Sequence, residues 1–305
     1  MTDQYSISVV IATRNRPSKL ENCLRSISQQ ESVPAEVVVV DDGTNSLASD
    51  VMRSLLPATV QLEVTTSAGP TSTSTARNTG ARVASSSIVL FLDDDVVLAP
   101  SYINRLREMY KSLDSSDLAG IGGYDDELRT PSWVEELYNS LFYLAEGRWR
   151  INSCGMQSWG HVSGTTAADW LSGNNASYKR SVLVDHPFPH WEGGREALED
   201  IAMGWRLKRA GYRLLIDPGL TVDHDETGIT EGDFAFGVKR GKNRIRIFRN
   251  WGRQILWPLF VWAYFGETLR QFLAPAVDGD VRAHWQIGCG MIAAPFVFLL
   301  GVLNQ

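Results

Sequence analysis

Three consecutive carboxylates, Asp93, Asp94 and Asp95, follow an apolar segment at residues 87–91. This short, β-branched segment predicts a buried strand, and three carboxylates cannot remain unpaired inside such a core. In open α/β sheets, ligands bind outside the carboxyl ends of the strands. Adjacent carboxylates there suit a hard divalent cation such as Mg²⁺, which proteins hold with carboxylates and phosphate oxygens. The triplet alone fits equally well a solvated acidic turn, or carboxylates that cap the next helix.

A second acidic pair, Asp41 and Asp42, ends another predicted strand at residues 35–40. Further strands are predicted at residues 6–13 and 60–66, with helical periodicity between them. Strands that alternate with helices imply a mostly parallel sheet. The carboxyl ends of parallel strands share one edge, so both acidic groups are expected at one site. The first turn between strand and helix lacks G-x-G-x-x-G, which argues against a conventional NAD site.

Two further candidate residues follow in the chain. Glu199 and Asp200 begin a predicted helix, where carboxylates complement the helix dipole, unless Asp200 projects into a cleft as a general base. The residues alone favour the dipole. His224 follows a short strand predicted at residues 212–216 and a turn at 217–219. It is a possible metal ligand, although a lone histidine is more often structural.

Residues 126–169 are rich in Gly, Ser and Trp and have no clear periodicity. A segment of this length is typical of an active-site lid or a substrate loop. Trp133, Trp149 and Trp159 either stack on a sugar or pack under the loop. Residues 170–176 then predict a strand that runs into a tight turn.

Composition limits the classes of partner and the compartment. The net charge of −6 argues against nucleic acid as the main partner. The three cysteines are isolated, which predicts reduced thiols and a cytosolic catalytic part. The first residues lack the basic and apolar regions of a signal peptide, so the N-terminal domain is expected in the cytoplasm.

The last third of the chain changes character. Seven basic residues lie between Lys239 and Arg253 with no acidic residue among them, and apolar segments follow at residues 255–265 and 287–303. Basic residues beside apolar, Trp-rich segments suit an anionic membrane surface. The second segment is at the short limit for a spanning helix, so interfacial helices or a re-entrant hairpin are favoured. The alternative is a soluble helical subdomain packed on the sheet.

Taken together, these segments resemble glycosyltransferase family 2 from about residue 6 to residue 225. The resemblance is carried by six sequence fragments in a specific order: SVVIATRNR at 8–16, VVDDG at 39–43, ARNTG at 76–80, FLDDD at 91–95, GNN at 173–175 and ED at 199–200. It implies an α/β fold of the GT-A, nucleotide-sugar-binding (Rossmann-like) type, with a mostly parallel sheet flanked by helices. Residues 1–235 would form this catalytic domain, and residues 236–305 a C-terminal membrane-associated helical segment.

The resemblance also implies roles for individual residues. Asp200 matches the catalytic base of an inverting, single-displacement reaction. Asp95, with His224, matches the ligands of a divalent metal, Mg²⁺ or Mn²⁺. The residues that match the nucleotide-sugar pocket are Thr13, Asn15, Asp42, Arg77, Asp93 and Asp94. The residues that match the acceptor or donor sugar site are Trp170, Gly173, Asn174 and Glu199.

The implied activity is transfer of one sugar, a hexose or hexuronic acid, from a nucleotide-sugar donor, with uridine as the commoner base in the family. The expected acceptor is a hydroxyl of a dolichyl- or polyprenyl-phosphate-linked saccharide, for protein N-glycosylation or surface glycan assembly. The expected location is the cell membrane, with the catalytic domain on the cytoplasmic side. Processive synthases of the family carry Q-x-x-R-W after the base helix, and no such motif occurs here. The alternatives are a polyprenyl-phosphate sugar synthase and a non-catalytic nucleotide-binding membrane scaffold.

Overall fold

The computed structural model describes residues 4–125, 131–191, 196–224, 234–273 and 281–303. The chain divides into two compact units. The first unit comprises Met1–Arg129, His161–Gly194 and Met203–Glu226, and the second comprises Thr130–Gly160, Arg195–Ala202 and Thr227–Gln305.

The first unit contains a single mixed sheet within the described residues. Its strands are β1 (Ile7–Thr13), β2 (Glu36–Asp41), β3 (Gln61–Thr65), β4 (Ile88–Asp93), β5 (Val96–Leu98), β6 (Leu118–Asp125), β7 (Thr166–Ala168), β8 (Asn175–Lys179) and β9 (Arg213–His224). Their order is β3-β2-β1-β4-β8-β6-β9-β5, and β7 pairs with β9. The pairs β1–β2, β1–β4, β2–β3 and β6–β9 are parallel, whereas β8 runs antiparallel to β4 and β6. The predicted α/β fold class is therefore confirmed, with a mixed sheet.

Helices cover the sheet of the first unit. They are α1 (Pro17–Ser28), α2 (Ser49–Leu55), α3 (Thr73–Val83), α4 (Tyr102–Leu113) and α6 (Arg180–Asp185). Helices are numbered in chain order, and α5 belongs to the second unit. Leu20, Leu24 and Ile27 of α1 are buried in the same apolar core as strands β1, β2 and β4. The core strands are continuous apolar runs because helices cover a parallel sheet on its faces. Helix α3 lies close to β1, since a Cβ on Gly80 would be 2.2 Å from Cγ1 of Val10.

The parallel registers place the acidic residues along one edge of the sheet. Thr13 of β1 pairs with Asp41 of β2, and Ala12 pairs with Asp93 of β4. The carboxyl ends of β1, β2 and β4 therefore meet side by side, as the alternation of strands and helices predicts. Six of the eleven candidate site residues of this unit lie at these strand ends or in the turns that leave them: Thr13, Asn15, Asp42, Asp93, Asp94 and Asp95.

Two predictions between residues 170 and 224 are wrong. Residues 170–174 are irregular, and β8 begins only at Asn175. Strand β9 continues through residues 217–219, where a turn was predicted. An irregular register between β6 and β9 accommodates these residues: Gly122 pairs with Ile216, but Tyr124 pairs with Thr221.

The regular elements of the second unit are helices, and its described residues 142–160 are irregular. It contains α5 (Trp133–Leu141), the start of α7 (Glu199–Arg209), α8 (Phe234–Trp251), a short 3₁₀ helix (Gln254–Leu256), α9 (Trp257–Leu273) and α10 (Val281–Leu303). Helix α5 lies in the segment that was predicted as irregular. Phe142, Cys154, Phe248 and Phe260 belong to a separate apolar core. Trp149 is buried, and its indole N–H donates to Gly160 O at 2.8 Å, so this tryptophan packs within the unit.

Helix α10 is long and apolar enough to cross a membrane over Val281–Gly301. Only 22% of its most apolar 18-residue stretch is buried within the protein. A core helix of a soluble protein would be mostly buried. The candidate span covers the predicted apolar segment from residue 287 to residue 301. It also includes the polar start of the helix.

Candidate active site

The first carboxylate of the triplet, Asp93, lies beside a buried arginine from helix α3. Nη2 of Arg77 is 3.1 Å from Oδ1 of Asp93 and also donates to Gly173 O at 2.8 Å. A Cβ on Gly173 would lie 2.6 Å from Nη2, so a larger residue there would displace the guanidinium from this position. Arg77 thus joins the end of β4 to the loop before β8.

The second carboxylate, Asp94, faces β1 and the start of α1. Its Oδ2 accepts a hydrogen bond from the Thr13 hydroxyl at 2.6 Å, and its Oδ1 is 3.2 Å from Nη1 of Arg16. Burial raises the pKa of Asp94, and it outweighs the opposing effects of Thr13 and Arg16. Asp94 therefore fixes the turn after β1 against the end of β4.

The third carboxylate, Asp95, is buried among cationic and potentially cationic groups. Its Oδ1 lies 3.2 Å from Nε2 of His224, and its Oδ2 lies 3.1 Å from Arg16 and 3.4 Å from Nζ of Lys19. Burial acts to raise the pKa of Asp95, but the hydrogen bond and charge of His224, with Arg16 and Lys19, lower it. Asp95 is thus kept ionised. On the other side of the ring, Nδ1 of His224 lies 3.3 Å from Nδ2 of Asn174.

Asp93, Asp95 and His224 form a group of potential metal ligands. One ligand atom from each residue lies within 4.8 Å of the others. Two carboxylates and one imidazole suit Mn²⁺, and the carboxylates also suit Mg²⁺. The donor set therefore fits a divalent cation. It includes both residues that were predicted as metal ligands and adds Asp93.

Two predicted nucleotide-pocket residues hold the loops beside this group. Asp42 accepts hydrogen bonds from the Ser67 amide and hydroxyl at 2.8 and 2.6 Å. Asn15 has a left-handed backbone with φ of 58°, a conformation that Asn tolerates better than most residues. Its side-chain oxygen accepts from the amides of Thr44 and Asn45 at 2.8 and 2.9 Å. These contacts shape a rim of polar loops along the sheet edge.

Trp170 is a packing residue within the first unit. It is buried, and a Cβ on Gly204 of α7 would lie 2.6 Å from the Trp170 Cα. Close beside it, Lys208 donates to Asp169 at 2.7 Å. The role of Trp170 in binding a sugar stays a prediction.

Glu199 and Asp200 belong to the second unit, at the start of α7. Oδ1 of Asp200 accepts from the Ile201 amide at 2.8 Å. Just before the helix, Leu198 has a left-handed backbone with φ of 68°. The adjoining Ala197 carbonyl accepts a hydrogen bond at 2.9 Å from Asn243 of α8, whose side chain is fully buried. A tight, braced turn therefore leads into Asp200.

Arg16 and Lys19 are site residues that the sequence reasoning missed. Both lie at the start of α1, directly after β1, and contact the acidic triplet. The signal was available, because β1 and β4 were both predicted to end at the same sheet edge. A basic residue in the turn after β1 is then expected near the triplet.

The fold and the acidic site define a GT-A-type glycosyltransferase. The chain belongs to glycosyl transferase family 2, whose family model matches residues 8–167, slightly more than half of the chain. Inversion at the anomeric carbon is consistent with this family.

Two similar curated proteins carry different names. The chain is 27% identical to a hyaluronan synthase from Pasteurella multocida, over 72% of this chain and 24% of that protein. It is 29% identical to a validoxylamine A glucosyltransferase from Streptomyces hygroscopicus subsp. limoneus, over 72% of this chain and 52% of that protein. The chain thus spans from about a quarter to about half of the length of these two relatives.

A solved structure supports the fold independently. The mannosyltransferase PcManGT from Pyrobaculum calidifontis, in complex with GDP-Man and Mn²⁺, superposes with a TM-score of 0.54 at 18% identity. The similarity covers 97% of this chain and 87% of the other. At this level of identity it shows a shared fold.

Proposed function

We propose that this protein transfers one sugar from a nucleoside diphosphate sugar to a hydroxyl of a lipid-linked saccharide at a membrane. The observation that carries the donor half is the group of Asp93, Asp95 and His224 at the carboxyl edge of the sheet. The GDP-Man and Mn²⁺ bound to the mannosyltransferase of the same fold support a nucleotide sugar and a divalent cation. A uridine diphosphate hexose or hexuronic acid is the first donor to test, and GDP-mannose the second.

The residues of this site divide the work of the reaction. When bound, a divalent cation neutralises charge on the departing diphosphate as a Lewis acid. Asp93, Asp95 and His224 would hold it, and Arg77 keeps Asp93 in place. Arg16 and Lys19 place positive charge beside Asp95, which suits diphosphate oxygens. Asn15 and Asp42 hold the loops that would border the nucleoside.

Asp200 is proposed as the general base. A hydroxyl acceptor must lose its proton as it attacks the anomeric carbon, so a carboxylate is needed at its side. Asp200 occupies the position of the base in the family motif, in the first turn of α7. Transfer then occurs once per acceptor, since no Q-x-x-R-W motif follows α7.

The lipid-linked acceptor is proposed from the composition of the second unit. Residues 236–305 combine a basic helix with the exposed apolar helix α10. Such a segment would hold the enzyme at a cytoplasmic membrane surface, where a dolichyl- or polyprenyl-phosphate-linked saccharide presents its sugar. Protein N-glycosylation and surface glycan assembly are the pathways that use such acceptors.

A single substitution tests this mechanism. Asp200→Asn should reduce transfer to a saccharide hydroxyl by about 10²–10⁴-fold, the usual contribution of general base catalysis. Transfer to a polyprenyl phosphate needs no base because that acceptor is already ionised. Equal transfer by the variant and the native enzyme to a polyprenyl phosphate would therefore favour a polyprenyl-phosphate sugar synthase. Absence of any hydrolysis or transfer from a panel of nucleotide sugars with Mn²⁺ would favour a non-catalytic scaffold.

A further inference from the structure

Helix α5 directs its apolar face away from the protein. Trp133, Val134, Leu137 and Leu141 are 76%, 53%, 63% and 61% exposed. At 100° per residue these four side chains fall on one face of the helix. A helix on the surface of a soluble domain normally turns such a face inward, so this arrangement is reversed.

The helix itself is well formed, which excludes fraying as the reason for this exposure. Ser132 and Glu135 make a capping box at its start, with the Ser132 amide 2.8 Å from the Glu135 carboxylate. The Tyr138 hydroxyl, on the flank of the apolar face, donates to Gly266 O of α9 at 2.7 Å, and Asn139, on the opposite face, accepts a hydrogen bond from Arg270 of α9. Phe142, just past the end of α5, is buried in the core of the second unit. The orientation of α5 is therefore fixed, and its apolar face is held outward.

The exposed face of α5 continues onto α9. The indole N–H of Trp262 donates to Leu141 O at 2.8 Å, and the Trp262 ring stacks on Phe142 with centroids 4.8 Å apart. Beside this contact, Val261 and Phe265 are more than half exposed. We call these side chains of α5 and α9 the apolar patch: Trp133, Val134, Leu137, Leu141, Val261, Trp262 and Phe265. Its residues come from distant parts of the chain, and Trp262 joins α9 to the end of α5.

This surface also connects with the candidate span. The Tyr264 hydroxyl of α9 donates to Met291 O of α10 at 2.6 Å. Along α10, Ile292 and Phe296 are exposed like the residues of the patch. A basic side chain lies beside α10, since the guanidinium of exposed Arg249 is 5.6 Å from the ring of Phe298. Apolar side chains beside an exposed arginine fit an anionic lipid surface.

We infer that helix α5 is an interfacial membrane helix whose apolar face inserts among the lipids of the same bilayer that α10 enters. This deepens the proposed function, on whose membrane location it rests. An interfacial helix of this kind buries its apolar face about 5–10 Å into the boundary between headgroups and acyl chains. Trp133 therefore serves as a lipid anchor, in place of the sugar-stacking role considered from the sequence.

Site-specific fluorescence in the full-length protein tests this insertion. Cys289 is exposed and is replaced by serine, whereas Cys23 and Cys154 are buried. A single cysteine is then introduced by Leu137→Cys, or by Val184→Cys on α6 as the matched control, and labelled with the fluorophore NBD. Both positions are 63% exposed. The labelled proteins are bound to vesicles of phosphatidylcholine and phosphatidylglycerol, with or without doxyl-labelled lipid.

The expected result is a blue shift of NBD emission at position 137 and loss of fluorescence in doxyl vesicles, with neither change at position 184. A third label, from Phe296→Cys, reports on α10 in the same assay. Quenching at 296 without quenching at 137 would overturn the inference and leave the membrane anchor intact. A blue shift at 137 that depends on protein concentration and not on vesicles would also overturn it, by indicating a second copy of the chain. Release of nucleoside diphosphate from the donor tests the enzymatic proposal separately.

Discussion

The three adjacent aspartates carry different partners, although the sequence presents them as one acidic run. Asp93 contacts Arg77, Asp94 contacts Thr13 and Arg16, and Asp95 contacts His224. Successive residues leaving a strand point in different directions, so each carboxylate reaches a different element. A metal ligand, a bracing contact and a link to α3 can therefore be supplied by one short segment.

Replacing Asp95 should weaken cation binding more than any distant acidic substitution. Asp95→Asn removes a charged oxygen ligand, and we expect the affinity for Mn²⁺ to fall by at least about 10–100-fold, the cost seen even for residues that only support ligands. Free Mn²⁺ measured by electron paramagnetic resonance during a titration gives the affinity. The matched control is Asp50→Asn, on the exposed surface of α2. Equal Mn²⁺ affinity in both variants would exclude Asp95 as a ligand.

At this scale the sequence was informative about residue types and less so about contacts. Strand alternation placed Asp42 and Asp93 at one edge because the register of parallel strands follows from their apolar pattern. The approach of Arg16 and Lys19 to Asp95 depends on how α1 leaves its turn, which periodicity does not encode. His224 lies at the end of a strand that is longer than the sequence suggested, so its meeting with Asp95 could come only from the family resemblance.

Among the elements, those with a regular core-facing pattern were predictable. Strands β1, β2 and β4 were recognisable as continuous apolar runs, and helix α1 because its buried residues recur with the helical period. Helix α5 was missed because it lies in a Gly-, Ser- and Trp-rich segment, although the sequence carries two signals for it: a capping box at Ser132 and Glu135, and apolar residues on one helical face. Strand β9 was predicted too short because Asp217, Pro218 and Gly219 are typical of turns, yet an irregular register with β6 accommodates them.

Helix α8 supplies a residue that braces the turn before Asp200. The Asn243 side chain donates to the Ala197 carbonyl and accepts from Arg246 at 3.0 Å. Leu198, which follows Ala197, has a left-handed backbone. A strained backbone persists only where its surroundings hold it. Asn243→Ala should therefore lower kcat by about 10–100-fold through misplacement of Asp200, with little change in KM for the donor. Steady-state kinetics with varied donor give both parameters.

Asn250→Ala, on an exposed part of the same helix, is the control for that substitution and should leave kcat unchanged. A variant Asn243→Ala with normal kcat and a lower melting temperature would show that the hydrogen bond is only structural. A parallel rise of KM for the donor would place the effect in the nucleotide pocket.

The second unit also contains a buried ionic cluster whose stability should depend on pH. Glu267 of α9 accepts hydrogen bonds from Arg240 at 3.0 Å and from Arg244 at 2.8 and 2.9 Å. Burial acts to raise the pKa of Glu267, but the two arginines outweigh it and lower the pKa to about 2. Because the folded pKa lies below the ordinary value, the contribution of Glu267 to stability is complete above about pH 5 and is lost as pH falls towards 2.

Glu267→Gln should lower the free energy of unfolding by about 3–5 kcal/mol at pH 7, since it leaves buried arginine charge uncompensated. It should also flatten the loss of stability between pH 5 and the lowest pH at which the native protein stays folded, a range set by the depressed pKa of Glu267. Thermal unfolding in detergent, followed by circular dichroism, measures both. Glu108→Gln breaks an exposed pair with Lys111 and should cost no more than about 1 kcal/mol. Equal destabilisation by the two substitutions would contradict a special role for the buried cluster.

For the whole molecule, composition indicated two kinds of surface. The first unit buries its apolar strands under helices, as expected of an α/β domain. The second unit leaves apolar side chains of α5, α9 and α10 exposed and carries the basic helix α8. The C-terminal part of this difference was visible in the sequence. The contribution of α5 was not, because only the folded chain brings residues 133–141 beside α9.

Attachment of the whole protein to a membrane should depend on the exposed side of α10. Ile292 and Phe296 lie one turn apart and are 54% and 68% exposed, so Ile292→Arg with Phe296→Arg adds charge without disturbing packing. A charged residue at the centre of an inserted helix costs about 2.5–3.5 kcal/mol, and two should release the chain from membranes washed with alkaline carbonate. Sedimentation of the native chain and of this variant measures the bound fraction.

The control for this pair is Val51→Arg with Val184→Arg, which adds the same charge at exposed apolar positions of the first unit and should leave the chain membrane-bound. Circular dichroism establishes that both variants keep their helix content. Recovery of the native chain in the soluble fraction without detergent would contradict a membrane anchor altogether. If the α10 variant still sediments with the membranes, attachment is assigned to α5 and α9. Their apolar face would then suffice to hold the protein at the lipid surface.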